Sequence, residues 1–130
     1  MKELLYKFVE WTKLKVRIHV SEREIYFREG EIWWVSLGAN IGYEQDGKNS
    51  NFERPVLIVR KLSRHILWVV PLSTKLKPHS YYYQYTYNGS SYSAILTQLR
   101  TISSKRLLRK IGLFPKEDFE SVRKELKKMI

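Results

Sequence analysis

The sequence has no cysteine. A disulfide framework and a thiolate metal centre are therefore excluded, and the composition suits a reducing cytosol. Histidine is scarce: His19, His65 and His79 lie far apart without H-x-x-x-H spacing, so no histidine-held metal is expected. No apolar run approaches the length of a membrane span. The stretch MKELLYKFVEWTKLK is interrupted by charge every few residues and lacks the apolar core and cleavage site of a signal peptide. The expectation is a soluble, cytoplasmic protein with no membrane partner.

Motifs for common chemistries are missing as well. There is no P-loop, no G-x-G-x-x-G and no G-x-S-x-G elbow. The acidic residues form no cluster suited to two-metal catalysis. Any activity is expected to need neither cofactor nor metal.

Negative charge is itself in short supply. Lys and Arg number 24 against 13 Asp and Glu, a formal net charge of +11. Such a field concentrates polyanions, which places nucleic acid first among partners and an acidic protein second. The 43% hydrophobic content over 130 residues fits one globular domain with a real core.

Leu4, Phe8, Trp11, Leu14 and Ile18 recur at helical spacing, which predicts a helix over about 2–14. Residues 15–20, KVRIHV, also alternate, so this end reads as helix or strand. Strands follow at EIWWVSLG, PVLIVRKL, HILWVVPL, the tyrosine-rich YYYQYTY and SAILTQLRTI, with Asn88-Gly89 as a hairpin turn. Residues 38–53 read as a loop. A short helical run is expected from Ser104 to a stop at Gly112, and a final helix after Pro115. About five closely spaced strands with hairpin turns indicate a small antiparallel barrel or sandwich.

Three stretches carry chemistry. Arg54 opens an apolar strand behind the polar loop, and its planar fork can hold two phosphate oxygens. The plain alternative is a rim arginine paired with Glu53 or Glu44. Ser73, Thr74 and Lys75 stand where the third strand ends, and hydroxyls beside an ammonium can seat a phosphate. The plain alternative is a strand-ending turn with a surface lysine. Gln98 and Arg100 share the polar side of the stretch TQLRT, which is otherwise an ordinary amphipathic strand. Taken singly, each plain alternative is favoured.

In series, these stretches resemble the MazF/PemK-like toxins. The likeness rests on GEIWWV (30–35), GYEQDG (42–47), RPVLIV (54–59), VPLSTK (70–75), QLRTI (98–102) and KRL (105–107). It covers residues 30–130. The resemblance implies an α+β, mainly β protein: a small antiparallel SH3-like β-barrel of PemK/CcdB type with an N-terminal helix and C-terminal helices. Residues 1–28 would be a helical extension packed on the barrel and 29–130 the barrel domain, one globular unit overall. It further implies a toxin of a type II toxin–antitoxin system, a metal-independent, sequence-specific endoribonuclease. Its expected partners are single-stranded RNA, an acidic antitoxin and a second copy of itself.

By the same resemblance, Arg54 and Ser73 take the catalytic positions. Glu44, Gln45, Lys48, Thr74, Lys75, Gln98 and Arg100 would border the RNA. The sequence departs from the family pattern in the length of the segment between Glu44-Gln45 and Arg54-Pro55, with Asp46 to Glu53 intervening, and in Tyr43, where a serine is common. The alternative is a non-catalytic barrel of the same class that binds nucleic acid or a protein such as gyrase. A plain SH3-like interaction domain fits the +11 charge less well.

Overall fold

A computed structural model describes residues 1–130. Helix α1 (Lys2–Val20) precedes seven strands: β1 (Glu31–Ser36), β2 (Glu53–Lys61), β3 (Ile66–Ser73), β4 (Tyr82–Tyr87), β5 (Ser90–Ile95), β6 (Arg100–Ser103) and β7 (Leu107–Leu113). Helix α2 (Lys116–Lys128) closes the chain. The antiparallel path runs β4-β5-β3-β2-β1-β7, with β6 also on β3. This is the α+β, mainly β class expected.

The sheet bends but does not close by hydrogen bonds, since the path ends at β4 and at β7. The two ends meet through side chains instead. The Tyr87 hydroxyl lies against Gly112, where any Cβ would collide with it. Strand β3 makes the bend: Ile66–Val69 pair with β6, whereas Leu72 and Ser73 pair with β5.

The central strands are apolar on both faces, which explains the near-continuous run PVLIV. Leu57, Val59, Val70 and Leu72 face one core, capped by Phe114 and by Val122 and Leu126 of α2. Val56, Ile58, Leu67 and Val69 face a second core with Phe27, Trp33 and Val35. A third cluster joins Trp11 of α1 to Ala39 and Phe52.

One open reading is decided and two expectations change. KVRIHV is helix, because Ile18 continues the stripe of Trp11 and Leu14, and Lys105 Nζ donates to the His19 carbonyl at 2.6 Å. Residues 104–112 are not a helical run. Only Ser104–Arg106 make a turn of 3-10 helix, and Leu107–Leu113 form β7 along the open edge of β1. Gly112 is therefore a packing position and not a helix stop, and the carboxy-terminal part holds one α-helix rather than two. SAILTQLRTI is two strands separated by a 3-10 turn at Leu96–Gln98. The edge of a neighbouring strand, a non-local demand, overrides local spacing here.

The hairpin at Asn88-Gly89 forms as expected, both residues adopting positive φ (49° and 80°). No helix is long and apolar enough to cross a membrane.

Candidate active site

Arg54 sits second in β2, half-buried. Its Nε donates to the Asp46 carbonyl (2.8 Å) and its Nη1 to the Leu72 carbonyl (3.3 Å). The rim pairing weighed from sequence does not form. Glu53 pairs with Arg109 at 2.7 Å, and Glu44 accepts from the Ile41 amide at 3.0 Å. Arg54 takes part in none of the chain's ion pairs. Burial pushes its pKa below the ordinary guanidinium value, and the charge of Asp46 works against that. The result is a cation oriented by main-chain carbonyls with its charge uncompensated by contact.

The Leu72 carbonyl that holds Arg54 directly precedes Ser73. Ser73 Oγ accepts from the Lys75 amide at 3.1 Å, which is the strand-ending turn. Because Oγ is the acceptor there, its own O–H remains a donor. The turn is anchored from beneath: Ser93 Oγ, fully buried on β5, donates to the Lys75 carbonyl at 2.6 Å.

Arg54, Ser73, Thr74, Lys75, Gln45 and Lys48 line one cleft of about 650 Å³. Trp34, Tyr87 and Ile111 supply an apolar part of its wall, and Lys77 adds a further cation. A second cleft of about 480 Å³ is lined by Glu44, Gln45, Gln98 and Arg100. Gln45 borders both, so the predicted residues form two adjoining depressions rather than one.

Gln98 does not lie on a strand beside Arg100. It occupies the 3-10 turn, where its Oε1 accepts from the Gln45 amide (3.3 Å) and its Nε2 donates to the Tyr43 carbonyl (3.2 Å). It clamps the 38–53 loop. Arg100 donates to the Leu37 carbonyl at 3.4 Å, and burial lowers its pKa against the charge of Glu44. Arg106 donates to the carbonyls of Ser36 and Leu37. Burial and the nearby Arg100 push it down to about 10.

Sequence reasoning missed Asp46, Asn40 and Ser93. Asp46 Oδ1 accepts from the Asn40 amide (2.6 Å), and Asn40 Nδ2 donates to the Gln45 carbonyl (2.8 Å). Asn and Asp closing a polar loop on itself is a recognisable signal. Ser93 carries none, because its partner lies on another strand. The tyrosine run divides its labour: Tyr85 packs on Phe114 with ring centroids 4.3 Å apart, and Tyr83 donates to Asp118 of α2 at 2.7 Å.

The family model described as PemK-like, MazF-like toxin of type II toxin–antitoxin system matches residues 28–130. The chain belongs to this toxin family. Solved members share the fold of this MazF-like chain at low identity. MazF (Form-I) from Deinococcus radiodurans is 20% identical with a TM-score of 0.65, over 81% of this chain and 97% of that one. A MazE–MazF structure (Form-III) from the same organism is 14% identical, TM-score 0.61, over 81% and 96%. An endoribonuclease in complex with its cognate antitoxin, from mycobacterial species, is 15% identical, TM-score 0.59, over 79% and 93%. No curated protein matches the sequence at a significant level.

Proposed function

We propose that this MazF-like chain is a metal-independent endoribonuclease that cleaves single-stranded RNA, with Arg54 and Ser73 as its catalytic residues. The observation that carries this reading is Arg54. It is half-buried, fixed by two carbonyls, free of any carboxylate partner and in the same cleft as Ser73. Orienting a charged fork without neutralising it costs stability. That cost has a purpose if an anion completes the site.

The reaction is an internal transfer. The ribose 2′-oxygen attacks the adjacent phosphorus and gives up its proton to solvent water. The bond to the 5′-oxygen breaks, and that oxygen takes a proton from solvent, leaving a cyclic phosphate and a 5′-hydroxyl. Negative charge grows on the non-bridging oxygens as the phosphorane forms. Arg54 opposes that charge, and the Ser73 hydroxyl donates to one of those oxygens. A guanidinium holds its proton too tightly to serve as an effective base, so Arg54 acts through charge. Lys48, Thr74 and Lys75 hold flanking phosphates, while Glu44, Gln45 and Arg100 border the bases. Gln98 acts there by fixing the backbone of Tyr43 and Gln45.

The same reading gives the chain an acidic antitoxin as partner. The net charge of +11 favours an acidic segment laid across the clefts. It also makes the working form a homodimer in the cytoplasm, with 1–28 and 29–130 folded as one globular unit.

The test is incubation of purified protein with a long single-stranded RNA in EDTA, followed by mapping of the cut ends. Cleavage that survives EDTA, leaves 5′-hydroxyl ends and is lost in Arg54→Ala is expected. RNA that is bound yet stays intact with wild-type protein would replace this reading with a non-catalytic barrel.

A further inference from the structure

Residues 1–27 lie outside the family match, yet α1 contacts the loop that borders the site. Lys7 Nζ pairs with Asp46 Oδ2 at 3.1 Å. The other carboxylate oxygen of Asp46 takes the Asn40 amide, and its main-chain carbonyl takes Arg54 Nε. One residue thus links the helix, the loop and the arginine.

A second attachment lies one turn further along. The Trp11 indole covers Gly38, where a Cβ would overlap its ring, and its centroid stands 5.5 Å from that of Phe52. Phe52 holds a positive φ of 47°, a costly conformation for an aromatic residue. Its carbonyl accepts from the amides of both Leu37 and Gly38, closing the base of the loop. Trp11 packs over the point where the loop is strained.

We propose that α1 is a positioning element for the reaction: through Lys7 and Trp11 it holds the 38–53 loop so that the Asp46 carbonyl orients the Arg54 guanidinium. This rests on the proposed nuclease reading for its kinetic consequence, but not for its geometry. Lys7 lines neither cleft. Its ion pair is half-exposed, and such pairs contribute little to overall stability. Effects on orientation and on folding therefore separate at this residue. The consequence is a barrel whose catalytic arginine is set by a segment that the family model does not cover.

The experiment compares full-length wild type with Lys7→Met, Lys7→Arg and Lys13→Met. Lys13 pairs with Glu10 on the exposed side of α1, so its variant removes the same charge without touching the loop. Lys7→Met is expected to lower kcat on a single-stranded RNA about tenfold with KM within about twofold. Lys7→Arg restores kcat, Lys13→Met matches wild type, and all four melt together. In parallel, water exchange of the Arg54 Nε–H is followed by NMR, and it quickens in Lys7→Met alone. An unchanged kcat in Lys7→Met, a loss shared with Lys13→Met, or unchanged Nε–H exchange overturns the proposal. If the wild type cuts no RNA, the nuclease reading fails by itself, and the exchange measurement still decides whether α1 orients Arg54.

Discussion

Glu53 on β2 and Arg109 on β7 meet at 2.7 Å across β1, the strand between them. The pair occupies the carboxylate next in sequence to Arg54. Glu53 and Arg54 line the same cleft, but the Glu53 charge is met by Arg109, whereas Arg54 has no ion-pair partner.

Removal of Arg109 leaves a largely buried carboxylate short of its strongest partner. Arg109→Ala is expected to destabilise the fold by about 1–3 kcal/mol. Adding Glu53→Gln should recover part of that loss. Urea unfolding of the single and double variants measures it, and purely additive losses would show that the pair is not coupled.

Glu31 gives a pH signature. Burial raises its pKa, but hydrogen bonds from Lys110, Trp33 Nε1 and the Arg28 amide outweigh burial and leave it below the ordinary carboxylate value. A depressed carboxylate contributes stability that is present above the unfolded value and is lost as pH falls through the folded one. Wild type should therefore exceed Glu31→Gln in Tm at pH 7, with the gap narrowing below about pH 4.5. Thermal melts across pH 7 to 3 test this; a constant gap would contradict it.

Gly38 has φ +93° and lies under the Trp11 ring. Gly38→Ala meets both backbone strain and overlap, with an expected loss of about 2–4 kcal/mol. Trp11→Phe in the same chain vacates space and should relieve the overlap share, leaving only the backbone share. A double variant as unstable as the sum of its parts would remove the contact as the cause.

Arg54 also governs salt dependence if it neutralises a phosphate. The slope of log binding constant against log salt for single-stranded RNA should fall in magnitude by about 0.7 in Arg54→Ala. Ser73→Ala, neutral for neutral, should leave that slope unchanged while lowering cleavage. Fluorescence titrations at several salt concentrations distinguish these, and equal slopes for Arg54→Ala and wild type would move Arg54 away from the phosphate.

Much of the barrel was legible because its signals are local. Aromatic and β-branched or continuous apolar runs marked β1 to β3, the tyrosine run marked β4 by propensity, Asn88-Gly89 marked the hairpin, and Pro115 marked the entry to α2. The stretch 104–113 misled because Leu107, Leu108 and Ile111 also suit a helix, and only the vacant edge of β1 makes them strand. Gln98 misled similarly, since a turn after Ile95 rotates it away from Arg100 and onto the loop.

Composition and order alone determined the basic charge, the absence of thiolate chemistry, the first four strands and the family, since each depends on residue type and spacing along the chain. Tertiary structure decided what Arg54 touches. Asp46, Leu72 and Lys7 reach its surroundings from a loop, a neighbouring strand and a helix 47 residues before it in sequence. Periodicity reports which face a residue presents. It carries no information on which distant carbonyl that face will meet.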